Sequence, residues 1–158
     1  MHAGWSKPTF KVYPEAQRSL QLLALEEANR YKWYESEKAG YDRGEWAIRQ
    51  WIKNYWPMFV RCRWLEHLEG DIFWQELVET NFGILKSALR ESPLLQPILS
   101  RLMSMDENLD IIHWAHHVAD LSQEQVEEIV IILSALNVNS CRLKCEFEPS
   151  QQARIAVA

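Results

Sequence analysis

The sequence predicts a mainly α fold, a single compact bundle of five to seven helices packed around one kinked central helix. Three observations point there. Glycine is scarce, five in 158 residues, while Leu, Ile, Glu and Gln, which favour helices over turn-rich β structure, are plentiful. Apolar residues recur at spacings of three and four through most of the chain. Helix-capping signatures punctuate those periodic stretches.

Taken in chain order, residues 1–13 read as an irregular arm, with a short strand at Thr9–Tyr13 where Phe10 and Val12 flank Lys11. Pro14 suits a first helical position, and Leu20, Leu23, Ala24, Tyr31 and Tyr34 then share one helical face as far as about Lys38. Gly40 supplies a left-handed cap. Asp42 with Glu45 has capping-box spacing and opens the central helix. Ile48, Trp51, Ile52, Tyr55, Met58 and Phe59 form one apolar arc, and beyond Pro57 the apolar positions Val60, Trp64 and Leu68 lie nearly opposite. The spacing predicts one long helix, kinked at Pro57 and ending at Gly70.

Asp71 predicts a short helix to about Val78, and Asn81 another to Leu89. A helix opening at Ser92-Pro93 or at Gln96-Pro97 runs to Met105. Asp106 caps a helix to about Ala119, and the Ser122/Gln125 box opens one from Gln123 to Leu136. A turn over Asn137–Ser140 leads to Cys141–Glu148, where apolar and charged residues alternate as in a strand. That strand and the N-terminal segment are expected to make a small two-stranded sheet at one edge, residues 140–148 supplying one side. Residues 149–158 read as a flexible tail. The length suits a single domain over 1–158 with a sizeable core.

Composition narrows the class. Apolar residues at 47% and charged residues at 25% are ordinary globular values. The longest apolar stretch, Ile129–Leu136, is far short of the ~20 residues of a membrane span. No basic-then-apolar leader opens the chain, so a cytoplasmic protein without membrane contact is expected. Cys62, Cys141 and Cys145 have no disulfide-framework spacing and read as reduced thiols. The net charge of −5 is uneven: residues 1–63 carry 11 basic and 7 acidic side chains, residues 64–158 carry 6 and 15. Such polarity suits an acidic partner, or attraction between the chain's own halves.

Three constellations carry chemistry. Asp110, His113, His117 and Asp120 rise along one side of a helix at spacings that hold zinc or iron, although they coincide with the polar side of an amphipathic helix. Arg43, Arg49, Lys53, Arg61 and Arg63 interleave with Trp46, Trp51, Tyr55, Trp56 and Trp64, a pairing used for protein anchors and for phosphate contact with base stacking. Of the rings, Trp46 and Trp56 are expected at the surface, so Trp46, Arg49, Lys53, Trp56, Arg61 and Arg63 form the candidate partner-binding set. Glu35-Ser36-Glu37 and Glu66-His67-Leu68-Glu69 offer acids and a histidine, without a spacing that demands catalysis. No phosphate-binding Gly-rich loop, Cys-x-x-Cys pair, His-Glu-x-x-His or Gly-x-Ser-x-Gly occurs.

The run Trp33-Tyr34-Glu35-Ser36-Glu37-Lys38-Ala39-Gly40-Tyr41-Asp42-Arg43-Gly44-Glu45 resembles an element of small helical bacterial proteins. Trp64–Gly70 and Glu107–Ile112 resemble other parts of them. The resemblance implies an αα-hairpin joined through Gly40 and Asp42 and a bacterial cytosolic origin; it implies no activity and transfers no functional residue.

The sequence therefore favours a non-catalytic adaptor or assembly factor that binds another protein or itself through an aromatic-basic helical surface, with no cofactor. A nucleic-acid-associated protein using Arg43, Arg49, Lys53, Arg61 and Arg63 is the alternative, and a metal-dependent enzyme at His113 and His117 a third.

Overall fold

The computed structural model describes residues 18–85, 89 and 91–147. Among them lie five α-helices: α1 (Leu20–Ala39), α2 (Gly44–Glu69), α3 (Leu95–Met103), α4 (Asn108–His117) and α5 (Gln123–Leu136). The fold is compact and all-α. Helices α1 and α2 pack as an antiparallel hairpin, and α3, α4 and α5 pack on one another, with α3 also against α2.

The hairpin is built from local signals. Gly40 ends α1 at φ 80°, donating its N–H to Ser36 O at 2.9 Å. Buried Ser36 accepts the Arg43 N–H at its Oγ (3.0 Å), stitching the turn to α1. The expected Asp42/Glu45 box does not form. Asp42 Oδ1 takes the Gly44 N–H (2.8 Å) and Glu45 turns to Arg49. Helix α2 passes Pro57 without a break and ends, as its sequence implies, at Gly70 with φ 79°.

The start of α1 corrects the sequence reading. The helix begins at Leu20 rather than at Pro14, because Ser19 is its extended N-cap and Arg18 pairs in parallel with Trp74. The Glu76 carboxylate, 57 residues downstream of Ser19, accepts from Ser19 Oγ (2.6 Å), Leu20 N (2.7 Å) and Gln21 N (3.0 Å). An anion on the unpaired N–H groups of a helix start is favourable. These contacts also explain why residues 71–78 form no helix. The segment is pinned as a loop, with fully buried Trp74 donating its backbone N–H to His67 Nδ1 (3.2 Å) and its indole N–H to Glu66 (3.2 Å). A 3₁₀ turn occupies Glu79–Asn81, and helical backbone begins only at Ile84 and Leu85; part of the stretch to Leu89 lies outside the described residues.

The later helices hold closer to their signals. Pro97 falls in the first turn of α3, where its missing N–H has no helical partner to lose. Helix α4 is capped by Glu107, one residue beyond the expected Asp106, in a reciprocal box with Asp110. The Ser122/Gln125 box opens α5, and Asn137 closes it in the left-handed region.

The core is aromatic. Trp51 and Trp56 of α2 pack on each other, on Phe59 and on Phe147, with ring centroids 5.5–6.4 Å apart. The indole N–H groups of Trp56 and Trp64 donate to Leu143 O (3.0 Å) and Leu136 O (2.8 Å). Four of the seven described tryptophans, Trp51, Trp56, Trp64 and Trp74, are thus core, and the indoles of the last three each find an acceptor. Cys141–Phe147 is not a strand among the described residues. Its backbone is held by side chains instead: Gln21 donates to Lys144 O (2.9 Å) and accepts from Glu146 N (3.1 Å). The expected N-terminal strand at Thr9–Tyr13, the arm and the tail lie outside the described residues.

Candidate functional site

The first turns of α2 project a face that nothing else among the described residues covers. At ~100° per residue, Trp46, Arg49, Lys53, Pro57, Val60 and Trp64 fall on one side of the helix. From Val60 onward that side is core. Before Pro57 it is surface: Trp46 is 44% exposed, and Arg49 and Lys53 are exposed. The Arg43 guanidinium lies 3.8 Å from the Trp46 ring centroid and 5.5 Å from that of exposed Tyr41, a cation–π arrangement that fixes the indole at the hairpin end. Arg49 pairs with Glu45 at 2.7 Å. Lys53 makes no ion pair among the described residues. The result is a ring-and-cation stripe spanning ~10 Å from Trp46 to Lys53.

The structure divides the expected partner-binding set. Trp46, Arg49 and Lys53 share that stripe. Trp56 is not at the surface as expected: it is 9% exposed, drawn into the core by Phe147 and by the Leu143 carbonyl. Arg61 is also internal, donating to Leu102 O (3.3 Å) and Asp106 O (3.0 Å) and pairing with Glu107 (3.3 Å). Arg63 pairs with Glu66 at 2.7 Å and stacks over Phe59 and Trp74. These two arginines fasten helices and loops to each other. Tyr41 was missed by the sequence reading, although a tyrosine inside a Gly-Tyr-Asp turn has little room to be buried.

Beside the stripe, Trp56, Pro57, Val60 and Arg61 border a cleft of about 360 Å³, closed by Met105, Glu107 and the segment from Val138 to Leu143. Burial pushes the Cys141 thiol there up to about 11. A protonated thiol is a poor nucleophile. The Cys62 thiol is likewise raised by burial.

The remaining candidates have structural partners. Asp110 Oδ2 accepts the Glu107 N–H at 2.8 Å, the closing bond of the α4 cap. The His113 and His117 rings lie 4.4 Å apart at a tilt of 43°, and these residues with His116 and Asp120 are exposed. Among the described residues no three His, Cys, Asp or Glu side chains converge as a metal-binding group. Fully buried His67 donates from Nε2 to Val78 O (2.8 Å) while Nδ1 accepts from Trp74, between the rings of Phe73 and Phe82. Its neighbour Glu69 is raised by burial and by a hydrogen bond with Asp71. Glu35 pairs with Lys38 at 2.8 Å.

No helix among the described residues is long and apolar enough to cross a membrane. Comparison with family models, curated proteins and solved structures finds no match to this chain.

Proposed function

We propose that this protein is a non-catalytic binding module, an adaptor or assembly factor, that captures another protein through the first three turns of α2. The observation that carries this reading is the exposed Trp46 ring, held under Arg43 and aligned with Arg49 and Lys53. An exposed tryptophan flanked by cations matches the composition of interface anchors. The footprint is smaller than the sequence set, comprising Tyr41, Arg43, Trp46, Arg49 and Lys53. Its positive charge in an acidic protein selects a partner segment bearing carboxylates around an apolar residue. The intramolecular pairing of Arg61 with Glu107 and of Arg63 with Glu66 weakens the nucleic-acid reading, because it engages two of its five phosphate-contacting cations.

The test is fluorescence anisotropy with a labelled acidic amphipathic peptide and, separately, a labelled single-stranded oligonucleotide. The reading expects saturable peptide binding that Trp46→Ala and Arg49→Glu/Lys53→Glu each abolish. Peptide binding unchanged in both variants would refute it. Oligonucleotide binding alone, weakening steeply with salt, would replace it by the nucleic-acid alternative.

A further inference from the structure

Helix α5 presents a second face that nothing else among the described residues covers, chemically the inverse of the α2 stripe. Its inward side is fully engaged: Val126, Ile129, Ile132, Leu133 and Leu136 are buried. Its outward side is not. Ile131 is 64% and Val130 44% exposed, and Glu124 and Glu127 of the same arc are exposed. Glu128, off that arc, is taken by Ser92. Two large β-branched apolar side chains facing water beside two carboxylates are an unusual outer face for a bundle helix.

The two faces match in overall span as well as in charge. Trp46, Arg49 and Lys53 stand at i, i+3 and i+7 on α2, and Glu124, Glu127 and Ile131 at i, i+3 and i+7 on α5. With the helices antiparallel, Trp46 meets Ile131 and Val130 at one end, and Lys53 meets Glu124 at the other. Arg49 stands ~4.5 Å from the Trp46 end and Glu127 ~6 Å from the Ile131 end, an offset of ~1.5 Å that a long arginine side chain spans. Both spans are seven residues, ~10.5 Å at ~1.5 Å per residue, so the apolar end and the ionic end come into register together. An antiparallel pair also sets the two helix dipoles in a favourable sense. Within one molecule both faces remain exposed, so they do not satisfy each other.

We propose that the occupant of the α2 stripe is the α5 face of a second copy of this chain. The proposal rests on the binding reading above and names its partner. The contact is heterologous, each copy offering one basic-aromatic and one acidic-apolar face. A single helix–helix contact is a small interface, so association is weak and reversible. Its ionic part fades as salt shortens the screening length.

The experiment is sedimentation of the full chain over a concentration series up to about 1 mM, at low and at high salt. The expected result is a weight-average mass that rises with concentration and less steeply in high salt. Arg49→Glu/Lys53→Glu makes both faces acidic and Glu124→Lys/Glu127→Lys makes both basic. Each variant alone is expected to associate at least about tenfold more weakly, and an equimolar mixture of the two to regain association. That rescue requires both variants to be folded, so it separates lost contact from lost structure. A wild-type mass that stays monomeric throughout overturns the proposal, as does association that neither charge reversal weakens. A monomer that still binds the acidic peptide through Trp46 overturns self-association and leaves the binding reading standing. A monomer that binds no peptide removes both.

Discussion

Trp46 and Trp64 lie on the same side of the same helix, 18 residues or about five turns apart, yet one is 44% and the other 5% exposed. Trp64 is covered because its indole N–H reaches Leu136 O at the end of α5. Among the described residues the Trp46 ring meets the Arg43 guanidinium at the hairpin end. Periodicity assigns a residue to a helix face. Whether that face is core or contact surface depends on how far the rest of the bundle reaches along the helix. Here the cover stops near Pro57, and the uncovered half carries the proposed function.

The contrast should be largest in stability. Trp64→Ala is expected to cost about 3–5 kcal/mol through the cavity and the orphaned Leu136 carbonyl, whereas Trp46→Ala should stay within about 0.5 kcal/mol. Parallel urea denaturation measures both, and equal losses would erase the distinction. His67→Ala, further along the buried half, should cost about 2–4 kcal/mol because Trp74 N–H and Val78 O both lose their partner.

A smaller effect tests the long-range cap. Glu76→Gln should lower stability by about 1–2 kcal/mol, since a neutral amide meets the Leu20 and Gln21 N–H groups less well than a carboxylate. Amide exchange at the start of α1 should then rise while the Trp46 end is unaffected. A last effect, seen only in alkali, is the titration of Cys141. Its thiol holds a proton to about 11 in the fold, against an ordinary value of 9.0. The unfolded thiol ionises first, so the folded state loses stability as pH rises between those values. Cys141→Ser should flatten that decline.

Local signals were legible in the sequence and non-local ones were not. Ser122 with Gln125, and the glycines at 40 and 70, act on atoms within a few residues, and α5 and the ends of α1 and α2 fall where those residues imply. Glu76 reaches Ser19 across 57 residues, and without that contact in view Pro14 looks like the helix start and Asp71 like another. The alternation in Cys141–Glu148 is real, but Gln21 and Trp56 occupy its backbone groups in place of a neighbouring strand. At the site, Trp46, Arg49 and Lys53 were readable as the polar edge of an aromatic helix. Arg61 was not distinguishable from them, because only the carbonyls of Leu102 and Asp106, brought in by the α3–α4 turn, take it inside.

The central claim is that α2 changes role along one face, and indole ¹⁵N–¹H spectroscopy tests it most directly. The Trp46 signal is assigned by Trp46→Phe, and the Trp64 signal by Trp64→Phe. On titration with the acidic amphipathic peptide, the Trp46 resonance should shift progressively while that of Trp64 stays fixed. A Trp46 resonance that does not move, or one that moves only together with Trp64, would contradict the account.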